Sequence, residues 1–185
     1  MSARLESLEA IESRVWDELR QAVDDNTHAW RCPVLATVDE DAADARTVIL
    51  REVDAHTRQL IVYTDQRAGK VAQLLRHPNG SMVMWSPALG WQLRCRVRLG
   101  VQTSGIAASS RWARIRLSRS AQDYLSPLPP GAPLEQPPAG PPLATGHPYF
   151  AVIEAEVLTM DWLELHADGH RRAVFGESGA RWVQP

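Results

Sequence analysis

The sequence predicts a mainly β domain, an antiparallel barrel with a few covering helices. Short segments rich in Val, Ile, Thr and aromatic residues outnumber the segments with helical periodicity. Few of the connections between them are long enough for a helical crossover. Neither a GxGxxG motif nor a phosphate-binding P-loop is present. A doubly wound α/β sheet is therefore the poorer alternative.

Length and composition predict one globular domain over residues 1–185. Hydrophobic residues make up 44% and charged residues 23% of the chain, which is ordinary globular usage. The net charge of −2 provides no global basic field, so we expect neither nucleic acid nor a membrane as partner. With two cysteines, no run of 18 apolar residues and a charged N-terminus, the chain is predicted to be cytoplasmic.

The first 23 residues predict a helix, and the next eighty predict strands. Apolar residues recur at steps of three and four over residues 3–23. The strand-like segments that follow are 32–38, 46–53, 59–65, 81–86 and 91–103. Segment 91–103 alternates most regularly, with Gln92 and Arg94 on one face and Leu93 and Cys95 on the other.

Two more helices, a loop and four strands complete the prediction. One short helix follows Arg67, and another is expected over 109–125 with Ser109 or Ser110 as its N-cap. The Pro-rich stretch 126–148 predicts an extended loop. The remaining strands are expected at 149–158, 161–167, 170–176 and 181–183.

A phosphate site is a plausible function for the residues behind the third strand. Arg67 and Lys70 begin a helix directly after Thr64, and a helix N-terminus offers unpaired N–H groups and a positive dipole end. Arg46 opens the preceding strand, and Gln92 has both a donor and an acceptor for the edge of a heterocycle. The alternative is that these are ordinary surface side chains, and for any one of them alone that is the better interpretation.

The order of several motifs resembles the pyridoxamine 5′-phosphate oxidase-like FMN-binding proteins. The motifs are RTVILR (46–51), YTDQRAGKVAQLLRHP (63–78) and WQLR (91–94), the last leading to Gly100. The TDxRxxKxxxL form is similar to the Alr4036-like FMN-binding subfamily. The resemblance implies a six-stranded antiparallel split barrel, a homodimer, and FMN at the interface between its subunits.

The resemblance also implies roles for individual residues. Arg46 and Lys70 would hold the flavin phosphate, and Gln92 would hydrogen-bond the isoalloxazine ring. Segment 161–175 aligns with the family segment that contains a flavin-contacting Trp and Arg and a substrate-side His. The implied cofactor-binding residues are Arg46, Thr47, Val48, Ile49, Tyr63, Thr64, Arg67, Lys70, Gln92, Trp162 and Arg172. The implied substrate contacts are Arg51, Tyr124 and His170. Trp162 and Arg172 could equally be a core aromatic and a surface base.

The departures from the family pattern concern the substrate. The tyrosine that precedes the substrate-phosphate grip is kept as Tyr124, but the Arg and Ser positions after it are Leu128 and Ala132. Asp168 replaces an Arg, and Arg51 stands where the oxidase has a Lys. Each charge-assisted hydrogen bond contributes about 1.5–3 kcal/mol, so these changes disfavour a dianionic substrate.

The sequence leaves three functions open. The preferred one is a flavin-dependent oxidoreductase acting on a small organic substrate, with no side chain needed as nucleophile. A flavin carrier or sensor without turnover is the alternative. The third is a barrel that has lost flavin affinity, because Ala68 and Gly69 replace a hydroxyl and a basic residue. The histidines and cysteines show no metal-site spacing, so no metal is expected.

Overall fold

The computed structural model describes residues 4–137 and 148–185. Its helices are α1 (Leu8–Asp24), α2 (Gly69–Arg76) and α3 (Gly105–Ile115). Its strands are β1 (Val34–Asp39), β2 (Ala42–Thr47), β3 (Leu50–Asp54), β4 (Gln59–Asp65), β5 (Asn79–Ser86), β6 (Trp91–Gln102), β7 (Phe150–Glu164), β8 (Arg171–Gly176) and β9 (Gly179–Val183). The described residues thus form nine strands, as many as the segments that the sequence pattern predicts, whereas the resemblance implied a six-stranded barrel.

One antiparallel sheet contains these strands, in the order β2-β1-β5-β6-β7-β4-β3, with β8 and β9 added beyond β7. Strand β7 organises the sheet because it is 15 residues long. It pairs with β6 on one side, and on the other side with β4 over its first half and β8 over its second half. All pairings of β7 are antiparallel, and the architecture is the mainly antiparallel sheet with flanking helices that the sequence predicts.

The inner face of the sheet forms the main core together with α1. Ile11, Val15 and Leu19 of α1 are completely buried against it, at the helical spacing seen in the sequence. The alternation of β6 is confirmed: Leu93 and Cys95 are buried, while the intervening residues face outward. Burying each large aliphatic side chain contributes about 1.5–3 kcal/mol.

Two helix boundaries differ from the prediction. Helix α1 begins at Leu8, where the Ser7 hydroxyl accepts a bond from the Ala10 N–H at 3.1 Å, and not at residue 3. Helix α3 begins at Gly105, so the predicted caps at Ser109 and Ser110 are wrong. Gly105 adopts φ +79°, which allows the chain to turn from β6 into the helix four residues earlier. A separate 3₁₀ turn, Arg119–Tyr124, follows α3.

Three predicted segments are divided or joined differently. The strand expected at 46–53 is two strands, because the N–H of Val48 bonds to the Pro33 carbonyl at 2.9 Å and the chain turns there. The strands expected at 149–158 and 161–167 are the single strand β7. Residues 126–137 form neither helix nor strand, which confirms the loop prediction for that part, and 138–147 lie outside the described residues.

Candidate functional site

Lys70 is the only lysine in the sequence, and it lies half-buried in the first turn of α2. Its ammonium donates a hydrogen bond to the buried Thr64 hydroxyl at 3.2 Å. Within residues 4–137 and 148–185, no carboxylate lies in ion-pair distance of it. Burial and the neighbouring charge of Arg46 lower the pKa of Lys70. A cation in this position favours binding of an anion, which would offset both effects.

Arg46 lies beside Lys70 in a fixed orientation. One terminal nitrogen donates to the Thr37 hydroxyl at 2.6 Å, and the other donates to the Gln73 side-chain oxygen at 2.9 Å. The guanidinium also pairs with Asp44, which accepts a bond from the Gln73 amide at 2.8 Å. These contacts connect β1, β2 and α2, so the guanidinium is held in place before any ligand binds.

Thr37, Asp44 and Gln73 were not identified from the sequence. Gln73 could have been found, because it lies three residues after Lys70 and therefore on the same face of α2. Thr37 and Asp44 depend on the β1–β2 register, in which they are directly paired. Strand alternation within one segment does not specify that register.

The arrangement of Arg46, Lys70 and Thr64 fits a phosphate group. Two cations lie side by side, next to the Thr64 hydroxyl. This hydroxyl accepts from Lys70, and its own O–H, 3.4 Å from the Asp65 carbonyl, can turn to donate to a bound oxygen. Ala68, the residue preceding α2, provides no side-chain cap, so the N–H groups of Gly69 and Lys70 can donate to a bound oxygen, while the Val71 N–H bonds to the Ala68 carbonyl at 2.8 Å. The residues present therefore fit the flavin phosphate implied by the resemblance.

Arg67 makes several contacts within the chain. Its guanidinium forms a two-point ion pair with Asp65 at 3.0 and 2.7 Å, which raises the pKa of Arg67. It also donates to the carbonyl groups of Ser126, Pro127 and Leu128. In the single chain Arg67 thus holds the start of the Pro-rich segment, and its cofactor contact stays a prediction.

Tyr63 and Thr64 point to opposite faces of β4, as neighbours in a strand must. The Tyr63 hydroxyl donates to Glu52 at 2.7 Å, and its ring packs edge-on against Phe150. Burial and then the bond to Glu52 raise the pKa of Tyr63. Arg51 lies over the Tyr63 ring at 5.6 Å. The α3 side of the sheet therefore carries Tyr63, while Thr64 faces Lys70.

Arg51 and Tyr124, two predicted substrate contacts, lie close together. Tyr124 is buried between Trp112 and Phe150, and burial raises its pKa, opposed by the nearby Arg51. The third contact, His170, is exposed in the turn between β7 and β8, where its ring accepts a bond from the His166 N–H at 3.2 Å.

The position of His170 is far from that of Arg51 along β7. Leu50, the neighbour of Arg51, pairs with Val62 of β4, and Val62 pairs with Ile153 of β7. Arg171, the neighbour of His170, pairs with Glu164 of β7. These two β7 residues are 164 − 153 = 11 positions apart, or about 35 Å along the strand. One small molecule cannot touch both groups in a single chain.

Gln92 and Arg172 lie on the outer face of the sheet, in one row across the strands. Both pair with Leu163, and Gln92 also pairs with Trp85, whose side chain is 43% exposed. Arg172 makes a two-point ion pair with Asp161 at 2.9 and 2.7 Å, which lowers the pKa of Asp161. These side chains form a second candidate surface, separate from the cations under α2.

The remaining predicted residues lie at the β2–β3 bend and in the core. Thr47 and Ile49 are exposed at the bend, and Val48 between them is buried. Trp162 has no exposed surface, and its ring packs edge-on against Trp91 at 5.2 Å. Its position is that of the alternative interpretation, a core aromatic, and its flavin contact stays a prediction.

Residues 4–137 and 148–185 contain neither a membrane-spanning helix nor a cluster of metal ligands. No helix there is long and apolar enough to span a bilayer. No group of three or more His, Cys, Asp or Glu side chains in those residues is arranged to hold a metal ion.

The sequence matches one protein-family model. Residues 13–103 match the pyridoxamine 5′-phosphate oxidase FMN-binding domain. This range runs from α1 to the end of β6 and includes Arg46, Thr64, Lys70 and Gln92, but not Trp162. No curated protein matches the sequence.

Solved structures with the same fold cover most or all of the chain. A pyridoxamine 5′-phosphate oxidase-related, FMN-binding protein from Nostoc punctiforme is 21% identical, with a TM-score of 0.74 and 98% of both chains covered. PhzG from Burkholderia lata, solved with tetrahydrophenazine-1-carboxylic acid, is 17% identical, with a TM-score of 0.77 and 100% of both chains covered. General Stress Protein 26 from Bacillus anthracis is 14% identical, with a TM-score of 0.55, 80% of this chain and 93% of that chain covered. The Alr4036-like subfamily stays a prediction. The chain carries the pyridoxamine 5′-phosphate oxidase FMN-binding domain over residues 13–103, and FMN is the cofactor of that domain.

Proposed function

We propose that the protein is a cytoplasmic, FMN-dependent oxidoreductase that acts on a small organic substrate. The observation that carries the proposal is the half-buried Lys70, which has a hydroxyl and a second cation beside it but no carboxylate in ion-pair distance among the described residues. A dianionic phosphate would complete this site. Cys32 and Cys95 are both free, as expected in a reducing compartment.

The proposed active form is a homodimer in which each FMN is shared between subunits. In one chain the phosphate-binding cations lie beneath α2, and the ring-binding candidates Gln92 and Arg172 lie on the outer face of β6 and β8. Exposed apolar side chains, Val34, Ile49 and Trp85, accompany this outer region. Pairing two chains would cover these side chains, and Arg51 and His170 could contact one substrate only if they came from different subunits.

In this arrangement each group of residues has one task. Arg46 and Lys70 bind the phosphate and fix its position, and the Gln92 amide can both donate to and accept from the edge of the flavin ring. When bound, FMN supplies hydride acceptance at N5. Arg51 and Tyr124 provide a cation and a phenol for the substrate, so no side chain has to act as a nucleophile.

The substrate is proposed to be a monoanion or a neutral molecule, not a phosphate ester. Leu128 is about half exposed, and Asp168 projects a carboxylate into solvent where the family's oxidases carry an arginine. Arg51 is then the main cation for the substrate, and one guanidinium suits one carboxylate. The structural neighbour PhzG was solved with a carboxylic acid, which accords with this charge.

A carrier or sensor without turnover is the alternative function, and the same loss of substrate-binding groups favours it. The two are distinguished by reducing the bound flavin with candidate donors. In an oxidoreductase, a specific donor reduces and bleaches the flavin, and an electron acceptor restores the flavin absorbance. A carrier binds FMN without such a donor.

The first experiment is a visible absorbance spectrum before and after addition of FMN, with mass analysis of the flavin released by heat. The variant Arg46→Ala/Lys70→Ala should lose FMN and keep its far-UV circular dichroism. Arg76→Ala, at the far end of α2, removes one exposed ion pair and serves as the control. Unchanged flavin content in the double variant would reject the phosphate assignment.

A further inference from the structure

We propose that Trp91, Trp162 and Trp182 form an electron-transfer chain that connects the flavin site with the protein surface. The inference rests on the proposed function, since it requires FMN at Gln92. The activity proposed for these three residues is light-driven reduction of the bound flavin by a thiol in solution. The three residues are called the tryptophan chain below.

The spacing of the rings is the first argument. The centroids of Trp91 and Trp162 are 5.2 Å apart, and those of Trp162 and Trp182 are 6.5 Å apart. At these separations the edges of neighbouring rings are in van der Waals contact. Trp30 lies 6.5 Å from Trp91 as a side branch. Electrons move between indole rings readily at contact distance, because orbital overlap falls exponentially with separation.

The tryptophan chain is buried at its inner end and exposed to solvent at its outer end, as electron transfer from solution to a buried site requires. Trp91 and Trp162 are 7% and 0% exposed, whereas Trp182 is 45% exposed on the edge strand β9. Gln92 directly follows Trp91, and it pairs with Leu163, the neighbour of Trp162. A flavin ring at Gln92 is therefore separated from the inner end of the chain by the backbone of one sheet.

Hydrogen bonding determines where an oxidised indole can lose its proton. The Trp162 Nε1–H is buried without a partner among the described residues. An oxidised Trp162 has no base there to accept its proton, so it keeps the charge and can pass it on. Trp182 reaches water, which accepts the proton and makes the outward transfer effectively one-way.

The local charges leave the chain nearly neutral. The Trp91 Nε1–H donates to Glu164 at 3.3 Å, which stabilises positive charge on that ring. The Arg171 guanidinium lies 5.7 Å from the ring centroids of Trp162 and Trp182, and its charge disfavours positive charge on those two rings. The two charges are themselves paired at 2.8 Å, so neither dominates the transfer.

The electron balance of the proposed reaction is closed. Trp91 or Trp162 gives one electron to light-excited FMN, since ground-state flavin is too weak an oxidant for indole. An electron from Trp182 refills the inner tryptophan, and Trp182 releases its Nε1 proton to water. A thiol then transfers one hydrogen atom to the Trp182 radical and restores the indole. A second turn supplies the second electron, and the flavin takes up two protons from water. The two thiyl radicals combine, so two thiols become one disulfide for each flavin fully reduced.

The test compares illuminated, oxygen-free FMN-loaded protein with its Trp182→Phe variant in the presence of excess dithiothreitol. Flavin bleaching follows electron arrival, and transient absorption of the tryptophan radical follows the chain independently of any enzymatic activity. Trp112→Phe is the matched control, because Trp112 packs against Tyr124 and Phe150 on the other side of the sheet.

The expected result is a several-fold loss of bleaching rate and of the long-lived tryptophan radical in Trp182→Phe, with FMN content unchanged and Trp112→Phe like the parent. Equal bleaching and equal radical lifetime in the parent and Trp182→Phe would overturn the chain. Trp182 is half exposed, so this variant leaves no core cavity and should fold. The visible spectrum shows before illumination whether FMN is bound. Absence of bound FMN would overturn the proposed function and not the tryptophan chain alone.

Discussion

The guanidinium of Arg67 lies over the ring of Tyr149, 3.4 Å from its centroid. The same guanidinium holds the carbonyl groups of Ser126, Pro127 and Leu128 and is paired with Asp65. The Gln66 N–H, one residue earlier, bonds to the Tyr149 carbonyl at 2.7 Å. The loop that leads into α2 and Lys70 is therefore attached to the start of the Pro-rich segment and to the residue just before β7.

Arg67→Lys should release the segment without removing FMN. Lysine keeps the charge but loses the planar stack and the multiple donors, at a cost of about 1–3 kcal/mol. Limited proteolysis should cut residues 126–137 faster, while the FMN dissociation constant changes little. Arg76→Lys is the control. If FMN affinity falls and proteolysis does not change, Arg67 contacts the cofactor instead.

Lys70→Met should weaken FMN binding and stabilise the FMN-free protein. Losing charge-assisted bonds to phosphate should raise the dissociation constant about 10- to 100-fold. The pKa of Lys70 is lowered from 10.5 in the folded state, so the unfolded chain binds its proton more tightly. The resulting penalty is fully present below the folded pKa and disappears as pH rises towards 10.5.

Thermal unfolding of FMN-free protein measures this penalty directly. Near neutral pH, Lys70→Met should melt at or above the parent temperature, and the alkaline rise in stability should disappear. Lys70→Arg, which keeps a cation, should retain more FMN affinity than Lys70→Met. Equal affinity in all three proteins would remove Lys70 from the site.

Glu52→Gln should destabilise the contact between α3 and β3. Burial alone would raise the pKa of Glu52, but the hydrogen bonds from Arg111 and Tyr63 outweigh it, so the pKa lies below 4.5. The stabilisation from these hydrogen bonds is fully present above pH 4.5, and it is lost as pH falls through the lowered pKa of Glu52 in the folded state. At neutral pH we expect a loss of about 1–3 kcal/mol, detected by denaturant unfolding.

The pH dependence distinguishes Glu52 from an ordinary surface acid. The difference between parent and Glu52→Gln should shrink in acid, because protonation removes the same contacts. Asp17→Asn, which removes an exposed pair with Arg20, should cost about 0–1 kcal/mol. A pH-independent difference for Glu52→Gln would show that the carboxylate charge is not its cause.

Mixed dimers should show whether one FMN site uses two subunits. One variant carries Arg46→Ala/Lys70→Ala, and the other carries Gln92→Ala/Arg172→Ala. In a shared site, the mixed dimer has one site with both defects and one intact site. Differently tagged, co-purified mixed dimers should therefore bind one FMN with parental affinity, while each variant alone does not. Absence of an intact site would place all contacts in one chain.

Pyridoxamine 5′-phosphate should be neither oxidised nor bound. Leu128, Ala132 and Asp168 replace two cations and a hydroxyl, so a substrate phosphate would lack its partners. The measurement is flavin bleaching without oxygen and a spectral titration in the dark. Rapid bleaching would mean that Arg51 or another cation replaces the missing groups.

Some features of the fold followed from local pattern alone. The bounds of β4 and the alternation of β6 agree with prediction, because a half-buried strand must repeat every two residues. The division of 46–53 at Val48 did not follow, since it depends on a bond to Pro33. The start of α3 was missed because Ser109 and Ser110 are typical N-cap residues, whereas the turn into the helix is made by Gly105 at φ +79°.

The sequence by itself determined the β-rich class and the family resemblance, and it predicted Arg46, Lys70 and Gln92 as site residues, because motif order and strand period are properties of the linear chain. Only the tertiary structure decided that Gln73 and Thr37 orient Arg46, that Arg67 holds the Pro-rich segment, and that Tyr63 faces away from Thr64. These relations arise from strand register and from packing between distant segments. Contacts of that kind depend on which segments meet, and local periodicity does not encode that choice.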